Sequence, residues 1–221
     1  MTNLTAPLKV TLAGSPLTLL PERAVFCPTE RVLLVSDVHL GKAETFQRYG
    51  VPVPGAVNGA TLNRLAQVCD RTQARRLIIL GDLFHAQAGM VDEVIDAWLA
   101  FLHHTGVQAE LILGNHDRPL IETLAQLSLI CWAEPVPLGA AILSHEPLAN
   151  GEALNVCGHI HPCVRLGQRR DRLRLPCFHW QVDRRCLTLP AFGEFTGGYD
   201  VRVGRGHVAY AIAEGQVSPL P

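Results

Sequence analysis

Gly114-Asn115-His116-Asp117 follows the apolar run Leu111-Ile112-Leu113 directly, so an amide, an imidazole and a carboxylate are delivered where a buried strand would end. Open α/β sheets present ligand sites at strand carboxyl ends. A single such tetrapeptide is weak evidence, because Asn and Asp beside Gly are common turn formers. Four further apolar runs end in the same way. Val32 to Ser36 delivers Asp37 and His39, and Leu77 to Gly81 delivers Asp82 and then His85. Ala141 to Ser144 delivers His145, and Leu154 to Gly158 delivers His159 and His161. Five strand ends converge on carboxylates, imidazoles and one amide.

Asp, His and Asn without a thiolate form the donor set of borderline to hard divalent ions such as Mn²⁺, Fe²⁺ or Zn²⁺. Asp37, His39, Asp82, Asn115, His145, His159 and His161 are more ligands than one ion needs. Two ions about 3.5–4 Å apart, bridged by a carboxylate, would use them all and form a clamp suited to in-line displacement at phosphorus. Two divalent ions outweigh Asp37 and Asp82, so the field favours a phosphate ester anion. Coordination lowers the pKa of water toward ~7 on zinc, so making the nucleophile needs no protein base. The leaving alkoxide does need a proton, and His116, beside a candidate ligand, is placed to supply it.

The elements that must position these groups alternate in the first half of the chain. Leu8 to Leu12 and Leu17 to Leu20 flank Gly14-Ser15-Pro16 as a hairpin, and Ala24 to Cys27 adds a short strand. A short helical stretch from Ala43 to Tyr49 hangs off the Asp37 strand and closes at Gly50. The spacing predicts a helix from Ala56 to about Arg71, with Ala60, Leu62, Leu65, Ala66, Val68 and Cys69 facing in. A second starts near Asp92, with Val91, Val94, Ile95, Trp98, Leu99 and Leu102 on one face, an acidic first turn and Gly106 past its end. His103 and His104 in its last turn complement the dipole. A short helix over Leu120 to Leu127 and a strand over Ser128 to Trp132 follow. From Gly139 onward the pattern is β-like, with no convincing helix. Strand and helix alternating, then strands alone, suggest two sheets packed face to face with helices outside.

At 221 residues and 48% hydrophobic, residues 1–221 can form one domain with a full core. The net charge of −1 gives no global pull on a polyanion, so any nucleic-acid contact needs a local patch. Arg165 to Arg185 supplies one, with seven of the seventeen arginines against Asp171 and Asp183. Seven cysteines, an odd number without Cys-x-x-Cys, point to reduced thiols and a cytoplasmic setting. Met1 to Leu20 lacks a basic n-region, and no run approaches the roughly 20 apolar residues of a membrane span.

Asp37-Val38-His39, Gly81-Asp82, Gly114-Asn115-His116-Asp117, His145 and Gly158-His159-Ile160-His161 resemble, in order, the five motifs of the calcineurin-like metallophosphoesterases. The resemblance implies a four-layer α-β-β-α sandwich, two packed mixed sheets flanked by helices. It also implies Asp37, His39 and His161 on one metal, Asn115, His145 and His159 on the other, and Asp82 bridging. In that family a metal-bridging hydroxide attacks phosphorus, and His116 is no ligand but donates to the leaving oxygen. Gly81-Asp82-Leu83-Phe84-His85 resembles the double-strand-break repair nucleases and adds His85 to the catalytic candidates. Asp37 through Phe46, Pro52-Val53-Pro54-Gly55 and Leu189-Pro190-Ala191-Phe192-Gly193-Glu194-Phe195-Thr196-Gly197-Gly198 are similar to the ligase-associated DNA damage response endonucleases (the PdeM family). That resemblance implies a Mn²⁺-dependent phosphodiesterase cutting single-stranded DNA in repair, in functional association with a DNA ligase and helicase.

Several residues carry more than one reading. Arg169, Arg170 and Arg172 are candidate DNA contacts, or part of a solvated hairpin; Lys42 is a candidate phosphate contact. Phe192, Phe195 and Tyr199 could stack bases, cover the core or form a dimer contact, so a homodimer stays open. Cys157, His159, His161 and Cys163 could suggest a zinc site, but Gly158 and Pro162 break the strand and the histidines are already claimed. Two other functions compete with DNA cleavage. A small-molecule hydrolase could act on a cyclic nucleotide or nucleotide-sugar lipid, although the lipid-precursor pyrophosphatases have Arg where this chain has His116. A non-catalytic partner protein would have a degenerate metal site, whereas every ligand position here is filled.

Overall fold

The computed structural model describes residues 6–55, 57–149, 151–167 and 173–220. A seven-stranded sheet holds β1 (Leu8–Leu12), β2 (Ser15–Leu20), β3 (Ala24–Cys27), β4 (Val32–Val35), β5 (Arg76–Ile79), β6 (Gln108–Ile112) and β7 (Ile130–Trp132), in that spatial order. β1 to β4 run antiparallel as a meander, and β4 to β7 are mutually parallel. Between the parallel strands lie α1 (Lys42–Arg48), α2 (Val57–Thr72), α3 (Asp92–Thr105) and α4 (Ile121–Leu124). Val32 to Val35 is buried at every position, as expected of a parallel strand covered on both faces.

The second, nine-stranded sheet takes β8 (Val136–Leu138), β9 (Ala141–Leu143), β10 (Leu154–Cys157), β11 (Pro162–Leu166), β12 (Leu173–Gln181), β13 (Cys186–Thr188), β14 (Tyr199–Asp200), β15 (His207–Ala213) and β16 (Gln216–Leu220). It is mixed: β9, β10 and β13 are parallel, whereas β11, β12, β15 and β16 form antiparallel ladders. The side-chain period of two sorts the core. Leu33, Val35, Leu77, Ile79 and Leu111 pack under α2 and α3 with Leu65, Val94 and Trp98. Val32, Leu34, Ile78 and Ile112 pack against Leu143, Val156, Phe178 and Leu187 of the other sheet. The fold is two mixed sheets flanked by helices, with the carboxyl ends of β4, β5, β6, β9 and β10 carrying the candidate residues.

The helices depart from their predicted faces in small ways. α2 buries Asn58 and Thr61 beside Leu62, Leu65, Val68 and Cys69, while Ala60 is exposed and Ala66 only partly buried. Asn58 is drawn inward because its side-chain oxygen accepts from the Gly41 amide at 3.1 Å and its amide donates to Glu44 at 2.8 Å. α3 buries Val94, Trp98 and Phe101 and leaves Leu99 exposed; His103 and His104 are exposed in its last turn. All seven cysteines are free. Among the described residues no helix is long and apolar enough to cross a membrane.

β12 and β15 bring His179 and His207 into a stacked pair, with Nε2 and Nδ1 3.2 Å apart. Burial, reinforced by His207, pushes the His179 pKa down to about 4, against ~6.5 in an unfolded chain. Between these values the folded state binds fewer protons than the unfolded one, so stability is lost as pH falls from 6.5 toward 4. His179→Gln should flatten that decline in urea midpoints compared between pH 7 and 4.5. Parallel decline in the two proteins would show that His179 does not contribute.

Candidate active site

Five of the seven candidate ligands have left-handed backbone: Asp37 (φ 54), His39 (φ 52), Asp82 (φ 57), His159 (φ 67) and His161 (φ 53). Non-glycine residues seldom adopt this conformation, and it clusters at functional sites. Hydrogen bonds between neighbouring strand ends hold it. The amides of Asp37 and His39 donate to Gly81 O and Asp82 O, each at 3.0 Å, and His85 N returns a bond to Leu40 O at 2.9 Å. From the second sheet, His159 N donates to Asp37 Oδ2 at 3.0 Å. Gly81, Gly114 and Gly158 permit the approach, since a Cβ there would collide with His145, Asp82 and Ser36 respectively.

Two donor groups result. Asp37, His39 and His161 each place a ligand atom within 4.8 Å of the others, as do Asp37, Asp82 and His145. Asp37 Oδ1 lies 3.0 Å from His161 Nε2, yet this buried oxygen has no hydrogen-bond partner. His161 Nδ1 donates to Gly197 O at 3.1 Å, which makes Nε2 the nitrogen that faces the carboxylate, and the Asp37 charge raises the His161 pKa against its burial. Similarly, His145 Nδ1 donates to Leu80 O at 2.8 Å, and its Nε2 faces His159 Nδ1 at 3.0 Å, Asn115 Oδ1 at 3.1 Å and Asp82 Oδ2 at 3.7 Å. One proton could satisfy one of these contacts, whereas a divalent cation could satisfy all of them. The donors are nitrogen and oxygen, and the tautomers are set by backbone carbonyls as at metal sites. The residues therefore fit two divalent ions.

His39, His85 and His116 form a third cluster at the mouth. Burial pushes the His39 pKa down to about 3 and that of His85 to about 4, with Lys42 and His116 adding to the effect on His85. Both rings are neutral at pH 7. His116 differs: its Nδ1 donates to His85 O at 2.7 Å, its Nε2 is 3.9 Å from Asp82 Oδ2, and its ring stacks on His85 at 5.0 Å. Lys42, half-buried, holds its ammonium 5.9 Å over the Phe46 ring, which in turn touches His85. Lys42 thus lies beside the cluster. Residues 168–172 lie outside the described residues, and with them Arg169, Arg170 and Arg172. Arg165 and Arg174 both pair with Asp200, at 2.5 Å and 2.7 Å.

The aromatic residues separate. Phe192 is fully buried with the Arg64 guanidinium 4.5 Å over its ring, so it packs the core and is not free to stack on a base; Phe195 and Tyr199 are exposed. The alternating Cys-His zinc arrangement is absent, because Cys157 turns to Cys186, with sulfurs 3.6 Å apart. Sequence reasoning missed Ser36, whose hydroxyl donates to Asp37, and the role of Asp117. Asp117 is wholly buried and accepts from Asp82 N at 2.6 Å and from Leu83 N and Gly114 N at 3.0 Å, tying the β5 end to the β6 end.

Residues 30–180 match the family of calcineurin-like phosphoesterases. The chain belongs to that family. It is a metal-dependent phosphoesterase. This phosphoesterase is 36% identical to the nuclease MPE of Pseudomonas putida over 97% of its own length and 100% of that chain, with a TM-score of 0.82. The match is consistent with the ligase-associated endonucleases that the motifs resemble. It is also similar to Yfce, a phosphoesterase from E. coli, at 17% identity over 86% of this chain and 97% of that one, with a TM-score of 0.45. No match is found among curated proteins.

The clamp at Asp117 gives a direct expectation. Asp117→Asn replaces an oxygen that accepts backbone N–H by an amide donor, leaving buried donors unpaired at a cost of roughly 1–3 kcal/mol. Urea unfolding of the two proteins measures it; unchanged midpoints would mean that Asp117 does not hold the two strand ends together.

Proposed function

We propose that this phosphoesterase is a binuclear phosphodiesterase that cuts single-stranded DNA internally during DNA repair in the cytoplasm, residues 1–221 acting as one domain. Asp37, His39 and His161 would hold one ion and Asn115, His145 and His159 the other, with Asp82 between them. Mn²⁺ suits this nitrogen and oxygen set, with Fe²⁺ and Zn²⁺ as the other borderline candidates. The observation that carries the reading is the convergence at His145, whose Nε2 meets His159 Nδ1 and Asn115 Oδ1 with one proton at most to share, beside the close Asp37–His161 contact. The nuclease at 36% identity supports a nucleic-acid substrate, and the resemblance to the ligase-associated endonucleases supports cooperation with a ligase and a helicase.

When bound, divalent ions supply Lewis acidity and an attacking water at neutral pH. The chain supplies the rest. With Nδ1–H fixed on the His85 carbonyl, His116 presents Nε2 to the cleft, and a second proton carried there, as imidazolium, would pass to the leaving oxygen. His85, neutral and stacked on His116, keeps that ring in place and can meet the ester from the side. Lys42 provides a cation for a neighbouring phosphate. His116→Ala should retain bound metal while losing turnover most on substrates with poor leaving groups. Equal losses on aryl and alkyl diesters would remove His116 from the proton-donor role.

The substrate class is tested with circular single-stranded DNA and a small aryl diester as paired substrates of the Mn²⁺-reconstituted protein. Replacing Arg169, Arg170 and Arg172 with serine should weaken DNA cleavage and flatten its salt dependence, because each lost phosphate contact removes counterion release. Hydrolysis of the aryl diester should stay within about threefold, or ~0.7 kcal/mol. A protein that leaves the circle intact while hydrolysing the diester would be a small-molecule phosphodiesterase.

A further inference from the structure

The segment from Leu189 to Gly198 contributes no donor to the cluster yet touches the residues that do. Phe192 N donates to Ser36 O at 2.8 Å and Gly193 N to Asp37 O at 3.1 Å. Gly193 lies so close to the Val38 carbonyl that a Cβ would collide with it. Further on, Gly197 O accepts from His161 Nδ1 at 3.1 Å, and Tyr199 N donates to His161 O at 2.9 Å. The segment therefore spans the Asp37-Val38-His39 turn and the His161 ring. Among the described residues it makes no hydrogen bond to Asn115 or His145.

Two arginines fasten this segment from outside. Arg64 of α2 pairs with the Glu194 carboxylate, donates to Phe192 O and stacks over the Phe192 ring at 4.5 Å. Arg23, in the turn between β2 and β3, donates to Gly193 O at 3.3 Å and Ala191 O at 3.5 Å and approaches Glu194 at 3.9 Å. Both forks point at backbone carbonyls that have no strand partner, a task for which a guanidinium is better shaped than an ammonium. Glu194 lines the small cleft shared by His39, Lys42 and Phe195 and also the one beside His161 and Gly197.

We propose that Arg23, Arg64 and Glu194 are positioning residues for one of the two ions: by locking Leu189 to Gly198 in place they fix the Asp37 turn and the His161 tautomer, and so set affinity at the Asp37, His39 and His161 position alone. This rests on the two-ion reading. Outer partners that orient metal-binding histidines typically change affinity 10- to 100-fold. The effect here is selective, because the His145 ring of the other position is oriented by the Leu80 carbonyl, outside this segment.

The test titrates chelator-treated full-length protein with Mn²⁺ and follows bound ion by calorimetry and electron paramagnetic resonance. Glu194→Gln keeps the shape of the side chain and removes its charge, and Arg64→Lys keeps the charge and removes the fork. Each should weaken one class of Mn²⁺ site by 10-fold or more and leave the other within twofold, at a melting temperature within a few degrees of the parent. The class lost should be the one that His161→Ala removes and His145→Ala spares. Weakening of both classes together, or of neither, would overturn the proposal. A parent protein that binds a single ion would overturn the two-ion reading, and this proposal with it, before any variant is compared.

Discussion

The left-handed backbone of Asp37, His39, Asp82, His159 and His161 is the constraint on which the rest of this structure depends. An L-residue in that region costs roughly 1–2 kcal/mol, and five of them consume much of the stability typical of a folded domain. They persist because each strand end is tied to its neighbour. Asp37 N, His39 N and Leu40 N donate to the Gly81 to Leu83 segment, His85 N donates back, and Asp117 receives the amides on both sides of the β5 and β6 ends. A parallel strand commonly releases its chain into a crossover helix through a loop of about two to six residues. Here those loops begin with a sharp left-handed step, which turns alternate side chains toward a common point.

That common point is electrostatically unfinished in the chain alone. Asp37 is wholly buried beside Asp82, and burial raises the pKa of Asp82 while His161 and Ser36 hold that of Asp37 below the usual carboxylate range against the burial penalty. His145 and His159 meet nitrogen to nitrogen, and the outer nitrogens of His145 and His161 are already committed to carbonyls. A cluster of this kind gains from cations because they neutralise the carboxylates and use every lone pair at once, which couples metal binding to the stability of the strand ends.

Much of this site was legible in the sequence because its chemistry is carried by rare residue types at strand ends, and because apolar runs of four or five residues mark buried parallel strands. The five ends and their order, the hairpin at Leu8 to Leu20 and the all-strand second half follow from those signals. What was not legible depends on distance along the chain. Arg23 reaches residues about 170 positions away and Arg64 about 130, contacts that leave no local periodicity. Phe192 reads equally as a base-stacking, core or dimer residue, and its place in the core is decided by neighbours distant in sequence, with Arg64 lying over it. Ala60 reads as a core position on α2, but the helix turns Asn58 inward instead because the Gly41 amide and Glu44 take partners there. The left-handed conformation of Asp37, His39 and Asp82 has no residue-level signal either, since it is imposed by the pairing of loops that are far apart in sequence.

The distribution of charge bears on how a polyanion could be held. β11 and β12 set Arg165 directly opposite Arg174, a like-charged pair that would repel across the ladder. Asp200 of the adjoining β14 answers both, so two arginines of the basic run are engaged within the protein rather than turned to a partner. With a net charge of −1 overall, no general field draws a polyanion in, so local groups must hold it, the cleft among them. There, divalent ions held by these carboxylates would leave a positive excess that the chain without metal lacks, and Lys42 would add to it. Affinity for a phosphate ester would then depend in part on occupancy of the metal positions. In that arrangement the groups that bind a phosphate ester anion would be the same groups that activate it.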